Sequence, residues 1–459
     1  MSASEEPKSA KPPRQPQSRE RAPTRTAVYA PYDPRAQRIN SVARAPADRL
    51  AEAVGLAEAI ALDVVAQGVI PLARRTPATL IGSGKVESIA AEVKEQEIEL
   101  VIIDQALTPG QQRNLEKAFG AKVLDRTGLI LEIFGERAAT KEGRLQVELA
   151  HLVYQKSRLV RSWTHLERQR GGAGFLGGPG ETQMEVDRRL LQDRIDGILA
   201  DLEQVKRTRE LHRKGRRRVP YPVVALVGYT NAGKSTLFNR LTGAAVLAKD
   251  MLFATLDPTM REVVLPSGRK VILSDTVGFI SELPTSLIAA FRATLEEVTG
   301  ADLILHVRDI AHADSEAQRG DVEKVLGDLG IAAKEATANI LEVWNKIDLM
   351  SEEAREIAVN RAQRAEPLAI PVSAATGEGL DRLIASIDER LASHHDEIVV
   401  EVSPALGALV NWLHEQAEVI EQAATDTGDL RLTVRIGDDA LGRLKAKIAQ
   451  AGPERARLV

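Results

Sequence analysis

The chain has no cysteine in 459 residues. That excludes disulfides and thiolate metal sites, and it fits a reducing compartment. No apolar run approaches the ~20 residues of a membrane-spanning helix. The N-terminus carries no apolar core of the kind a signal peptide needs, so a soluble, cytoplasmic protein is expected. Excess positive charge is also missing. The formal net charge is −4 and the pI about 6.2, so any affinity for nucleic acid must come from local charge rather than the total. What remains is ordinary globular composition, 44% hydrophobic and 27% charged, in a length that predicts about three domains at ~150 residues each.

The most informative stretch is Gly228-Tyr229-Thr230-Asn231-Ala232-Gly233-Lys234-Ser235-Thr236. An apolar run, Pro222-Val223-Val224-Ala225-Leu226-Val227, precedes it, and Leu237-Phe238-Asn239-Arg240-Leu241 follows. Buried strand, glycine-rich turn and helix start are the setting a P-loop requires. A triphosphate needs close backbone N–H groups, a helix N-terminus and an ammonium. Lys234 is expected to reach the outer phosphates and Ser235 to ligate Mg²⁺.

Four further elements follow in order. Phe253-Ala254-Thr255-Leu256-Asp257 places Thr255 to give Mg²⁺ a second hydroxyl. A hairpin strand then ends in Asp275-Thr276-Val277-Gly278. Asp275 is the carboxylate expected to hold Mg²⁺ through water, and Gly278 the amide that meets the γ-phosphate. Such a loop, ordered by metal and γ-phosphate, is a switch. Leu303-Ile304-Leu305-His306-Val307 reads as a strand, and a later one ends in Asn345-Lys346-Ile347-Asp348. An Asp348 carboxylate accepts both N1–H and the exocyclic amine of guanine, whereas adenine would leave it unpaired. Pro371-Val372-Ser373-Ala374 ends the next strand, with the Ala374 N–H placed to donate to guanine O6. The substrate is therefore GTP, and Lys234, Thr255 and Gly278 are the catalytic candidates.

The position after Asp-x-x-Gly, where many regulatory GTPases carry a water-orienting Gln, is Phe279. A slow basal rate and an external activator are expected. Asn231 stands where cation-dependent GTPases place an Asn. It either helps hold a K⁺ ion that supplies positive charge or only caps the loop.

Around this core the expected fold class is multidomain α/β. Residues 1–26, rich in Pro, Ser and charge, read as a disordered tail. Residues 27–140 read as a small parallel α/β N-terminal domain, with helices at 47–62, 87–96 and 109–118 and strands at 100–104 and 121–124. Gly82-Ser83-Gly84-Lys85 within it lacks the upstream glycine and the Ser or Thr of a P-loop, and reads as a basic turn at a helix start. Residues 141–219 carry two heptad-like seams, Leu145, Leu149, Leu152, Leu159 and Trp163, then Met184, Leu191, Ile195, Ile198, Leu202 and Val205. They predict an antiparallel helical hairpin. Its glycine-rich tip at 171–180 holds Phe175, flanked by Arg168 and Arg170, and Arg213 to Arg218 supply a second basic run. RNA contact and a solvated hairpin are both open on these residues. Residues 220–395 read as a doubly wound G domain. Residues 396–459 read as a small α+β module, with strands at 397–402 and 430–436 and helices at 406–420 and 439–450. His394-His395 reads as a surface pair.

The order of these parts, the glycine loop before Glu181-Thr182-Gln183, and the Phe253 to Asp257 motif closely resemble the HflX family of ribosome-associated GTPases. The resemblance implies binding to and stimulation by the large ribosomal subunit and its rRNA through the N-terminal domain, the hairpin and the loop at 171–180. It also implies the splitting or remodelling of stalled ribosomes by a monomer. Two alternatives stand beside it: a GTP-gated binding or assembly factor whose hydrolysis only times release, and an ATP-dependent RNA remodeller.

Overall fold

The computed structural model of the chain describes residues 23–35, 44–169, 183–216, 221–243, 252–253, 256, 259–281, 297–331, 339–365, 368–392, 395–425, 428–452 and 454–459. The tail up to residue 22 and the glycine loop at 171–180 lie outside the described residues.

The first sheet is wholly parallel. Strands β1 (Arg25–Tyr32), β2 (Asp63–Pro71), β3 (Leu100–Ile103) and β4 (Lys122–Asp125) lie in the order β2-β1-β3-β4. Parallel neighbours need crossovers, supplied by helices α1 (Pro46–Glu58), α2 (Ser83–Glu95) and α3 (Pro109–Phe119), with α4 (Arg126–Arg137) after the last strand. Helix α1 starts on Pro46, whose fixed φ suits a first turn. It stops short of the expected residue 62, because Ala61 takes φ +55° and turns the chain into β2. Helix α3 starts on a capping box of Thr108 and Gln111. Gly82 to Lys85 form the start of α2, as a basic helix-start turn.

Helices α5 (Lys141–Gln169) and α6 (Gln183–Arg216) form the hairpin. Lys156 meets Gln192 while Glu148 pairs with Arg194 at 2.6 Å, so the chain directions oppose. Ile195 and Ile198 are buried in the seam, with Leu191, Leu202 and Val205 half-buried. Helix α5 also buries Val147 and Ala150 in the core of the first domain. Tyr154 donates to Asp125 Oδ1 (2.6 Å) and Arg158 to Asp125 Oδ2 (2.5 Å), so Arg158 is tied to the first domain rather than presented outward.

The central sheet has the order β10-β9-β8-β5-β7-β6. Its strands are β5 (Val223–Gly228), β6 (Thr259–Val264), β7 (Lys270–Asp275), β8 (Leu303–Asp309), β9 (Ile340–Asn345) and β10 (Ala369–Pro371), and only β6 runs antiparallel. Helices α7 (Lys234–Thr242), α8 (Ser315–Asp328), α9 (Glu352–Ala362) and α10 (Leu380–Ala392) accompany it. A continuous apolar strand such as β5 is what a sheet covered on both faces demands.

The last sheet is antiparallel, in the order β12-β13-β11-β14, from β11 (His395–Val402), β12 (Glu418–Ala424), β13 (Leu430–Gly437) and β14 (Ala456–Leu458). It packs helices α11 (Gly407–Gln416) and α12 (Asp438–Ala451). The helix expected over 406–420 ends at Gln416. Ala417 is extended, and Glu418 onward pairs with β13.

One apolar cluster spans the first and central sheets. Leu56, Phe134 and Val28 meet Tyr229, Phe253, Phe279 and Ile280, and Phe134 stacks edge-on against Phe253 at 4.8 Å. Among the described residues no helix is long and apolar enough to cross a membrane.

Candidate nucleotide site

The P-loop joins β5 to α7 in the middle of the central sheet. Gly228 has φ +153°, and a Cβ there would lie 2.1 Å from the Val307 carbonyl oxygen of the neighbouring strand. Gly233 has φ +92°, and its Cβ would lie 2.2 Å from Asn345 Nδ2. Neither position admits a side chain, which is how backbone amides come to line the turn. Asn231 takes φ +61°, a conformation Asn tolerates better than most residues. Ala232 is buried, and Thr236 lies on the first turn of α7.

Lys234 is buried, and its ammonium donates to the carbonyls of Gly228 (3.0 Å) and Tyr229 (2.8 Å). Burial pushes its pKa down to about 8, against a smaller upward pull from Asp275. The Ser235 hydroxyl donates to Asp275 Oδ2 at 2.7 Å. A hydroxyl and a carboxylate side by side are the hard oxygen donors Mg²⁺ prefers, so this pair fits that ion. Thr230 Oγ1 is buried and has no partner among the described residues.

The switch motif runs along the P-loop. Thr276 donates to the Leu226 carbonyl at 2.6 Å, and Val277 is buried. Gly278 packs on Thr230 and Lys234. Phe279 forms a two-bond parallel bridge, its N–H to Gly228 O (3.1 Å) and its carbonyl to Thr230 N–H (2.7 Å). Its ring is 1% exposed, inside the shared core. Phe253 and Leu256 are buried close by. Ala254, Thr255 and Asp257 lie outside the described residues.

At the end of β9, Asn345 Nδ2 donates to Ala232 O (2.8 Å) and its Oδ1 accepts from Ala374 N–H (2.9 Å). The Ala374 N–H expected to face guanine O6 is thus engaged by Asn345. Lys346, at φ +67°, pairs with Asp309 at 2.9 Å. Ile347 is buried and Asp348 exposed. Ser373 is buried and its Oγ accepts from Thr376 N–H. The fold therefore brings four separated segments, the P-loop and residues 275–278, 345–348 and 373–374, to the C-terminal ends of the central strands. Sequence reasoning missed the contacts that Tyr229 and Ser281 make with Arg44, Glu52 and Arg126, since no motif marks them.

Family models match along nearly the whole described chain. One described as GTP-binding GTPase N-terminal matches residues 47–135, and one described as GTP-binding GTPase Middle Region matches 137–216. One described as 50S ribosome-binding GTPase matches 223–346, and one described as HflX C-terminal domain matches 358–456. GTPase HflX of Magnetococcus marinus is 50% identical over 407 residues, covering 88% of this chain and 92% of that protein. GTPase HflX of Escherichia coli is 46% identical over 360 residues, covering 78% and 83%. A solved complex of the protein SsGBP with GDP matches with a TM-score of 0.47 at 25% identity, covering 81% of this chain and 98% of that one.

Proposed function

The chain belongs to the HflX family of GTPases, and on that premise we propose that it is a Mg²⁺-dependent enzyme whose GTP hydrolysis is switched on by the large ribosomal subunit and coupled to the splitting or remodelling of ribosomes. The observation that carries this reading is Phe279. Its ring is buried and its backbone is pinned to the P-loop at both ends. No side chain at that position orients water, so turnover waits on a group supplied from outside. The family model over 223–346 names the 50S subunit, which gives that outside group a source.

In this reading the segment 220–395 is the catalytic domain. Lys234 neutralises the outer phosphates, the Gly278 amide meets the γ-phosphate, and Asp348 reads guanine. Ser235, Thr255 and Asp275 are the residues that would hold Mg²⁺, which would supply positive charge to the phosphates when bound. Asn231 would take part in holding K⁺. The segments 27–140 and 141–219, with the loop at 171–180, make the rRNA contact, and 396–459 forms a separate module.

The test is GTP turnover with and without large subunits, for wild type and for a deletion of 171–180. Strong stimulation of wild type and weak stimulation of the deletion are expected. Equal stimulation of both would reject the loop as the activating contact. Splitting measured with GTP and with a non-hydrolysable analogue separates the remaining roles. If the analogue splits as well, binding does the mechanical work and hydrolysis resets the factor.

A further inference from the structure

The P-loop tyrosine contributes more than a backbone amide. A phenol hydroxyl has one hydrogen to give and lone pairs to receive, and here each is used. Tyr229 donates to Glu52 Oε2 at 2.5 Å. It accepts from the Ser281 backbone N–H at 2.9 Å and from Arg44 Nη1 at 2.7 Å. Ser281 lies just beyond Gly278 and Phe279 in the switch. Its hydroxyl accepts from Arg126 Nη2 at 2.8 Å, and its carbonyl from the same guanidinium at 3.2 and 3.3 Å. Arg126 is 3% exposed and is held by Asp104 and Glu52, each at 2.5 Å. The N–H, the carbonyl and the hydroxyl of Ser281 are therefore all engaged, by the P-loop on one side and by the first domain on the other.

This clamp has a target. Gly278 lies against the P-loop so closely that a Cβ on it would sit 3.0 Å from Thr230 Cα and 3.1 Å from Lys234 Nζ. A γ-phosphoryl group bound by Lys234 and the Gly278 amide must be accommodated between these two. GDP makes no such demand.

We propose that Tyr229 is a positioning residue that sets the preference between GTP and GDP: its hydroxyl, together with Arg126, fixes the turn at Ser281 and so holds Gly278 against Thr230 and Lys234, and seating a γ-phosphate works against that hold. Linkage makes the effect reciprocal. Displacement of the switch by GTP loosens Ser281 from Arg126, Arg44 and the Tyr229 hydroxyl, so the first domain feels which nucleotide is bound. Nothing in this requires a ribosome.

The experiment is titration of the full-length chain with fluorescent GDP and a fluorescent non-hydrolysable GTP analogue. Tyr229→Phe removes only the hydroxyl. The affinity ratio of analogue to GDP is expected to rise by about tenfold, the size of one charge-assisted hydrogen bond. Glu52→Gln keeps the shape and weakens the same bond, so it moves the ratio in the same direction by less. Both variants are checked for a native melting transition. If either folded variant leaves the ratio at the wild-type value, or shifts both nucleotides equally, the hydroxyl is only structural and the proposal fails. Ribosome stimulation is read in a separate assay, so the two ideas fail independently.

Discussion

Ser235 Oγ donates to Asp275 Oδ2 across 2.7 Å, joining the first turn of α7 to the end of β7. Oxygen donors from two elements meet at one point, which fits a divalent cation. Asp275→Asn is expected to weaken Mg²⁺ affinity by roughly 10- to 100-fold, as for loss of a partner that acts through water. Magnesium titration of GTP turnover checks it. An unchanged magnesium midpoint would rule Asp275 out as a metal residue.

Asp348 is exposed at the base end, beside the Asn345 that ties the P-loop to Ala374. Asp348→Asn is expected to lower GTP affinity by roughly 10²- to 10³-fold, because a carboxylate accepts two guanine donors and an amide accepts one. The same variant should gain affinity for xanthosine triphosphate, whose 2-oxo group accepts from the new amide. Competition binding with both nucleotides decides.

Phe279→Gln is not expected to create a fast GTPase. The backbone at 279 is fixed by Gly228 and Thr230, and the side chain points into the core shared by the first and central sheets. A buried amide there is expected to cost about 2–4 kcal/mol of stability. Basal turnover and the melting temperature are the readouts, and a tenfold faster stable variant would contradict this account.

Lys234 gives a pH dependence. Burial holds its pKa near 8, and a triphosphate beside it favours the charged form. Below that value the ammonium is already present and affinity is flat. Above it, binding must take up a proton, and affinity should fall by up to about tenfold per pH unit. For the nucleotide-free protein the sign is opposite: the fold favours the neutral amine, so stability rises as pH increases from about 8 toward the ordinary lysine value of 10.5. Nucleotide titrations and melting curves between pH 7 and 10 test both.

Gly233→Ala is expected to lose nucleotide binding. Its φ of +92° strains any side chain, and the new Cβ would collide with Asn345 Nδ2 at 2.2 Å. Nucleotide affinity drops before the fold does, because the collision lies in the turn. Wild-type affinity in this variant would show that the turn relaxes freely.

The central site was legible because its chemistry forces residue types onto strand ends. Lys234, Asp275 and Asp348 each follow an apolar run, and each is a residue type for which the proposed role has few substitutes. The helices α5 and α6 were legible from apolar spacing, and Ile195 and Ile198 are buried where that spacing put them. Strand β2 was not, since Gly68 and polar Gln67 interrupt it and the helical spacing before it runs on to Leu62. Strand β12 was hidden for a related reason: Val419 and Ile420 continue the apolar spacing of α11, and only pairing with β13 makes them strand. The Tyr229 clamp was beyond reach. Its partners lie 177 and 185 residues away along the chain, and no local pattern encodes such meetings. The engagement of Ala374 by Asn345 was missed because a side-chain amide has several equally plausible partners until the fold chooses.

Asn345 spans the gap between the P-loop turn and the loop at Ser373-Ala374, gripping Ala232 with one end of its amide and Ala374 with the other. In the proposed reading, recognition of the purine and grip on the phosphates are therefore tied together through one side chain. In that reading a misfitting base that shifts the loop at Ala374 would also pull on the P-loop turn, and a wrong nucleotide would be disadvantaged at the phosphate end as well as at the base end.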